Sequence, residues 1–134
     1  MTPGSRGLTI LAEDSSANAA AFSAFLRQCG LEVKHFIDGK AAWDYLEKVP
    51  SADRARLKII FSDFMMPRMD GLELLKKVRT TTTLRTVPFV FCTAVLDPKL
   101  IREALPLSQG YIVKPATLSQ VQKKVDSILG PVVP

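Results

Sequence analysis

The feature that most constrains this 134-residue chain is a fivefold alternation of short apolar runs with segments of helical period. The runs are rich in β-branched and aromatic residues, and three are continuous, as is typical of strands buried on both faces. Parallel strands joined by crossover helices satisfy this order, because the helices cover both faces of the sheet. We therefore predict a doubly wound α/β fold with a five-stranded parallel sheet flanked by five helices. The predicted strands are 8–11, 32–36, 57–61, 87–92 and 110–113.

Start and stop signals delimit the predicted helices. Asp70 with Glu73 and Thr117 with Gln120 have the spacing of a capping box, in which each side chain satisfies a backbone N–H of the first turn. Each pair therefore predicts the start of a helix. The predicted stops are Gly30, Pro50 and Gly130.

The segment between the last two predicted strands has its own signals. Asp97 followed by Pro98 predicts a helix start, since proline is favoured at the first helical position. Pro106 lacks a backbone N–H and restricts the residue before it, so this helix is expected to end at about Leu105.

Composition narrows the functional classes. Hydrophobic residues make up 47% and charged residues 23%, which predicts one globular domain over 1–134 with its core at about 7–129. No apolar run approaches the ~20 residues of a membrane span, and the start resembles no signal peptide, so a cytoplasmic location is expected. The net charge of +5 is scattered, so direct nucleic-acid binding is not expected. Cys29 and Cys92 are expected to be buried free thiols.

Polar side chains follow four of the five predicted strands. Glu13 and Asp14 follow the first, Asp63 the third, Thr93 the fourth and Lys114 the fifth. Ligands of such folds bind beyond the carboxyl ends of the strands, where these residues would converge. Clustered carboxylates need a cation, and Mg²⁺ prefers hard oxygen ligands and bridges them to phosphate. The sequence thus predicts a site for a phosphoryl group beside Mg²⁺.

Two mechanisms compete for that site. The phosphoryl group either belongs to a bound nucleotide or becomes attached to the protein. Nucleotide binding would require a glycine-rich turn after the first strand, whereas "AEDSSANAA" contains neither G-x-G-x-x-G nor a Walker lysine. Attachment to Asp63 fits better, because a carboxylate is a competent nucleophile at phosphorus.

Four motifs in order carry a family resemblance over essentially the whole chain: "LAEDS", "SDFMMPRMDG", "FCTA" and "GYIVKP". Together they resemble the receiver domain of bacterial two-component response regulators, in particular the chemotaxis regulators. The resemblance implies a flavodoxin-like sheet of strand order 2-1-3-4-5. It also implies a phosphoprotein in phosphorelay signal transduction, one that catalyses only its own aspartyl phosphorylation and dephosphorylation.

The resemblance assigns roles at the metal and acceptor site. Asp63 would take the phosphoryl group from a sensor histidine kinase or a histidine phosphotransfer protein. Mg²⁺ would be bound by Glu13, Asp14, Asp63 and the backbone carbonyl of Met65. A monomer or a phosphorylation-dependent dimer, acting on an unidentified output protein, is expected.

The resemblance also assigns a switch. Thr93 and Lys114 would hold phosphoryl oxygens, and Tyr111 would swing inward as Thr93 moves. A cis Lys114–Pro115 bond is implied as well. The family uses the face around the fifth strand for output, and in this chain the segment "LDPKLIREALPLSQGYI" is short for the family. Altered geometry is therefore expected at that face.

At three positions near the predicted site, this chain departs from the usual residues of the family it resembles. The acidic pair is Glu13 and Asp14 rather than two aspartates, and the longer side chain is expected still to reach the metal through water. Met65 and Val95 place apolar groups where they would restrict water, so slow loss of the phosphoryl group is expected.

Two rival functions stay open: a non-phosphorylated adaptor, and an aspartyl-phosphate hydrolase. The hydrolase usually needs a second aspartate two residues after the nucleophile, where this chain has Met65.

Overall fold

The computed structural model describes residues 4–94 and 96–131. Five strands alternate with helices along the chain, as the apolar periodicity predicts. The strands are β1 Gly7–Ala12, β2 Leu31–Phe36, β3 Leu57–Ser62, β4 Phe89–Thr93 and β5 Tyr111–Val113. The α-helices are α1 Ser16–Gln28, α2 Gly39–Glu47, α3 Ser51–Arg56, α4 Gly71–Thr80 and α5 Leu118–Leu129.

All strands of the sheet are parallel, in the order β2-β1-β3-β4-β5. This confirms the predicted doubly wound fold and its strand order. The central strands β1, β3 and β4 are buried along almost their whole length, which explains why their sequences do not alternate. The carboxyl ends of β1 and β3 lie side by side, with Ala12 opposite Ser62.

Two apolar layers cover the sheet. On one face, β-strand residues such as Ile10 and Phe89 pack with α2 and α4. On the other face, residues such as Phe61 and Cys92 pack with α1 and α5. The phenyl rings of Phe22 and Phe61 meet edge to face at 5.2 Å, which locks α1 onto the centre of the sheet. Helices thus pack on both faces of the sheet.

The predicted capping signals are largely present. Thr117 and Gln120 form the reciprocal capping box of α5, with distances of 3.2 and 2.9 Å. Asp70 accepts a hydrogen bond from the Glu73 N–H at 2.8 Å and so caps α4. Gly30 ends the α1 turn with a φ of +90°, a conformation that favours glycine.

The segment after Asp97 is helical but is not the expected α-helix. Asp97 accepts from the Lys99 N–H at 2.7 Å, so the predicted start is correct. The chain then forms a π-helical segment, Leu100–Ala104, and a 3₁₀ turn, Leu105–Leu107. Pro106 has no N–H to continue an α-helical ladder, so the turn before it widens and the turn around it tightens.

Helix α3 was not among the predicted helices. It is six residues long, follows Pro50 directly and has no buried side chain, so its sequence shows no apolar stripe. In the described part of the chain, no helix has the length and apolar character needed to cross a membrane.

Candidate functional site

The carboxyl edge of the sheet brings together the residues that follow β1, β3 and β5. Ladder hydrogen bonds continue one residue beyond each strand: Glu13 N–H donates to Phe36 O at 3.0 Å and Asp63 N–H to Ala12 O at 2.9 Å. Lys114 N–H likewise donates to Thr93 O at 2.9 Å. The backbone of each predicted site residue is therefore held by the neighbouring strand.

Three carboxylates meet at this edge. One oxygen from each of Glu13, Asp14 and Asp63 can be chosen so that all three lie within 4.8 Å of one another. Glu13 and Asp63 are buried, whereas Asp14 is exposed. Asp63 opens the loop 63–70, called here the acceptor loop, which joins β3 to α4. Glu13 and Asp14 precede Asp63 by about fifty positions in sequence, and the three form one cluster that is open to solvent at Asp14.

The Lys114 ammonium lies between two of these carboxylates. Its Nζ donates to Asp63 Oδ2 at 2.7 Å and forms an ion pair with Glu13 Oε1. The other Glu13 oxygen accepts from the Ser15 N–H at 3.2 Å. Because Ser15 also caps α1, the Glu13 carboxylate is tied both to Lys114 and to the first turn of that helix.

The electrostatics of the site reflect burial and pairing together. Burial raises the pKa of the Glu13 carboxyl, and the hydrogen bonds from Lys114 and Ser15 offset this only in part. Burial alone would lower the pKa of Lys114, but hydrogen bonds to Asp63 and Glu13 outweigh it, so the pKa is raised. Lys114 is therefore a firmly held positive charge at neutral pH.

The donor set fits Mg²⁺. Three carboxylates supply hard oxygen ligands, and the exposed side of the cluster leaves room for the waters that Mg²⁺ retains. The sulfur and imidazole ligands that favour zinc are not part of the cluster found among the described residues. The site is thus suited to a small hard cation next to a phosphoryl group.

The expected switch residues lie on the neighbouring strands β4 and β5. Thr93 ends β4 and is buried. Tyr111 begins β5, is 39% exposed and lines a surface cavity of about 490 Å³ together with Lys123 and Lys124 of α5. The Lys114–Pro115 peptide bond is cis.

Met65 occupies the rim of the site. It is 62% exposed, and its N–H points to Asp63 Oδ1 at 3.4 Å. The acidic cluster thus has a flexible thioether side chain at its mouth rather than a carboxylate or amide. Val95, which the sequence pairs with Met65 in this role, lies outside the described residues.

Two further contacts at the site have weak or no sequence signals. A Cβ on Gly71 would lie 2.4 Å from Asp63 O, so only glycine lets α4 start this close to the acceptor loop. The Met-Asp-Gly motif includes Gly71, but the motif does not indicate that this glycine lies against the Asp63 carbonyl. His35 Nε2 donates to Glu13 O at 2.7 Å, and nothing in the sequence around His35 indicates this contact.

Both cysteines are buried free thiols, as expected. Cys92 lines a cavity of about 80 Å³ beside Lys114 and Asp63. Burial raises the pKa of the Cys92 thiol to about 12, although nearby Lys114 opposes the shift. The thiol is therefore protonated at neutral pH and is no competing nucleophile at this site.

Comparison with known proteins identifies the family. Residues 9–126 match the family described as "Response regulator receiver domain". The chemotaxis protein CheY homolog of Campylobacter jejuni is 32% identical over 126 residues, which cover 90% of this chain and 91% of that protein.

Solved structures of receiver domains have the same fold as this chain. The phosphorylated cyanobacterial phytochrome response regulator RcpA superposes with a TM-score of 0.80 at 26% identity, covering 96% of this chain and 98% of that one. The receiver domain of a Pseudomonas aeruginosa sensor histidine kinase, solved with magnesium in its active-site cleft, gives 0.75 at 26% identity, covering 92% and 98%. The chain belongs to the response regulator receiver domain family.

Proposed function

We propose that this receiver domain accepts a phosphoryl group on Asp63, with Mg²⁺ bound at the cluster of Glu13, Asp14 and Asp63, to which the Met65 carbonyl contributes. The observation that carries the proposal is the convergence of three carboxylates within 4.8 Å beside the Lys114 ammonium. The phosphorylated relative and the magnesium-bound relative support it by analogy.

In this reaction an oxygen of Asp63 forms a bond to phosphorus, and the phosphorus–nitrogen bond of a donor phosphohistidine breaks. The electron pair of that bond returns to the imidazole of a sensor histidine kinase or a histidine phosphotransfer protein. Bound Mg²⁺ would neutralise charge on the phosphoryl oxygens. Lys114 moves with its charge from the Asp63 carboxylate to a phosphoryl oxygen, and the Thr93 hydroxyl donates to another.

The consequence is a change of conformation rather than a released product. Contacts of Thr93 and Lys114 that exist only in the phosphorylated state would bias a two-state equilibrium. A coupling of about 1–3 kcal/mol changes the affinity of a partner by roughly five- to 150-fold. The half-exposed Tyr111 side chain is the group whose inward rotation would report this change on the output face.

The output face comprises β5 with the cavity of about 490 Å³ and the π-helical segment Leu100–Ala104. Tyr111, Val113 and Ile101 expose apolar surface there. We infer that an output protein binds this face, and that the protein acts as a monomer or as a phosphorylation-dependent dimer. A single receiver domain over 1–134, with its core at about 7–129 and a cytoplasmic location, completes the proposal.

Slow loss of the phosphoryl group is part of the proposal. Catalysis is confined to the protein's own phosphorylation and dephosphorylation, and the apolar Met65 at the rim would restrict the attacking water. The double variant Met65→Asn, Val95→Glu is expected to lose the phosphoryl group faster than wild type. Equal rates in the two proteins would contradict this idea.

The decisive experiment is incubation with acetyl phosphate, with and without Mg²⁺, followed by intact mass measurement. We expect a labile, Mg²⁺-dependent phosphoryl adduct in wild type and none in Asp63→Asn. If wild type gains no adduct and binds no Mg²⁺, the non-phosphorylated adaptor becomes the better description. Multiple turnovers of external phosphate esters would instead indicate the aspartyl-phosphate hydrolase.

A further inference from the structure

An ion pair between a buried carboxylate and a largely exposed guanidinium connects the acceptor loop to a second loop that no motif marks. Asp38, in the loop between β2 and α2, is only 3% exposed. The guanidinium of Arg68, in the loop between β3 and α4, donates to both of its oxygens, at 2.7 Å from Nε and 3.0 Å from Nη2. This two-bond geometry restricts orientation as well as distance, which a single contact would not do.

The two loops also meet through their backbones. A Cβ on Gly39 would lie 2.3 Å from Met69 O, so the chains are in direct contact at this point. Arg68 has a φ of +67°, a left-handed conformation that non-glycine residues adopt only when their surroundings hold them there. We call Asp38, Gly39, Arg68 and Met69 the interloop clamp.

The clamp acts on the middle of the loop that presents Asp63. That loop begins at the carboxyl end of β3 and ends at Asp70, the cap of α4. Both ends are held by regular structure, whereas the stretch from Met65 to Met69 is not. The Met66 and Met69 side chains pack against the apolar core, and the clamp adds a polar contact that fixes this stretch to the loop after β2.

We propose that Asp38 and Arg68 are positioning residues that set the affinity for the divalent cation at Asp63 without touching the cation or the phosphoryl group. This inference rests on the proposed function, since it concerns the same metal site. Loss of the clamp lets the Met65 region sample other positions, so the ligands supplied by this loop are no longer preorganised. Groups that hold metal ligands in place typically change metal affinity by about 10- to 100-fold when removed.

A purely structural role for Asp38 is the alternative, because its Oδ1 also accepts from the Ala41 N–H at 2.8 Å and so caps α2. Asp38→Asn separates the two roles. Asparagine is as good an N-cap as aspartate, so the helix keeps its cap. The charged, two-bond pairing with Arg68 is lost. If this variant binds the cation more weakly, the cause is therefore the lost pairing with Arg68 and not a lost cap on α2.

The test measures Mg²⁺ binding by titration calorimetry in wild type, Asp38→Asn, Arg68→Ala, Arg68→Lys and the double variant Asp38→Asn, Arg68→Ala. We expect a Kd weaker by about tenfold in each of the first two variants. The double variant should be no weaker than either, because both changes remove one interaction. Arg68→Lys should bind more weakly than wild type, since an ammonium does not reproduce the paired geometry.

Arg85→Ala is the matched control. Arg85 is an exposed arginine that precedes β4, at the opposite edge of the sheet from the site. The Arg85→Ala variant should bind Mg²⁺ with the same Kd as wild type. Urea unfolding of every variant verifies that the folded state is populated during the titrations.

Phosphorylation kinetics supply a second readout. With acetyl phosphate as donor, the Mg²⁺ concentration for half-maximal rate should rise about tenfold in Arg68→Ala, in step with Kd, while the rate at saturating Mg²⁺ changes less. A folded Arg68→Ala that binds Mg²⁺ within twofold of wild type overturns the clamp inference. Failure of wild type itself to bind Mg²⁺ or to be phosphorylated overturns the proposed function instead, so the two failures are distinguishable.

Discussion

Replacement of Lys114 by glutamine should destabilise the protein in a manner that Mg²⁺ partly reverses. The Lys114 ammonium contacts Asp63 at 2.7 Å and is also paired with Glu13, and the Lys114 and Asp63 side chains are only 13% and 12% exposed. Removal of one partner from a buried pair costs about 3–5 kcal/mol. The residual exposure places this case near the lower end, at about 3 kcal/mol without Mg²⁺.

Added Mg²⁺ should shrink that deficit. Without the ammonium, the cluster carries one more uncompensated negative charge, so the cation should bind about tenfold more tightly. Tenfold tighter binding adds about 1.4 kcal/mol of stability at saturation. The deficit of Lys114→Gln relative to wild type should therefore fall from about 3 to about 1.5 kcal/mol.

Urea unfolding with and without saturating Mg²⁺ measures both deficits. Lys123→Gln on α5 is the control, because it removes the same charge from an exposed position and should shift stability by less than about 0.5 kcal/mol. The reasoning would be refuted by a Lys114→Gln deficit that stays the same or grows when Mg²⁺ is added.

Three further results are expected. In Gly71→Ala the new Cβ would displace the Asp63 carbonyl, so the free energy of unfolding measured in urea should fall by about 1–3 kcal/mol. Phosphorylation of Asp63 by acetyl phosphate should be up to about 100-fold slower in this variant, and an unchanged rate would contradict the reasoning. The hydrogen bond from the Arg68 guanidinium lowers the pKa of Asp38, so its contribution to stability is present above the unfolded-state pKa of about 4 and is lost below it. Wild type should thus lose more stability than Asp38→Asn between pH 5 and 3, and parallel curves would argue against the linkage. Cys29 and Cys92 should resist a thiol reagent until the protein unfolds, since burial raises both pKa values; rapid native labelling would show otherwise.

The regular elements could be predicted because their signals are local. The apolar run 57–61 is buried on both faces in β3, and the Thr117 and Gln120 pair forms its box at the start of α5. Helix α3 and the π-helical segment could not be predicted in the same way. The first buries no side chain, and the second depends on how the chain accommodates Pro106 while Leu100 and Ala104 stay in the core.

The candidate site also has a part that local sequence signals predict and a part that they do not. Its members Asp63, Asp14 and Lys114 follow from strand ends and motif spacing. The pairing among them does not, since a lysine after β5 could have faced solvent. The ion pair of Lys114 with Glu13 depends on the parallel alignment of β1, β3 and β5, which brings the ends of these strands to one edge.

By itself the sequence determined the alternation of strands and helices, the residues that end each strand and the motifs of the family, because these depend on neighbours within a few positions. Only the tertiary structure decided which loops touch. Asp38 and Arg68 are 30 positions apart, and neither lies in a pattern that predicts the other. Their contact arises because α2 and α4 pack on the same face of the sheet and bring the loops that precede them together.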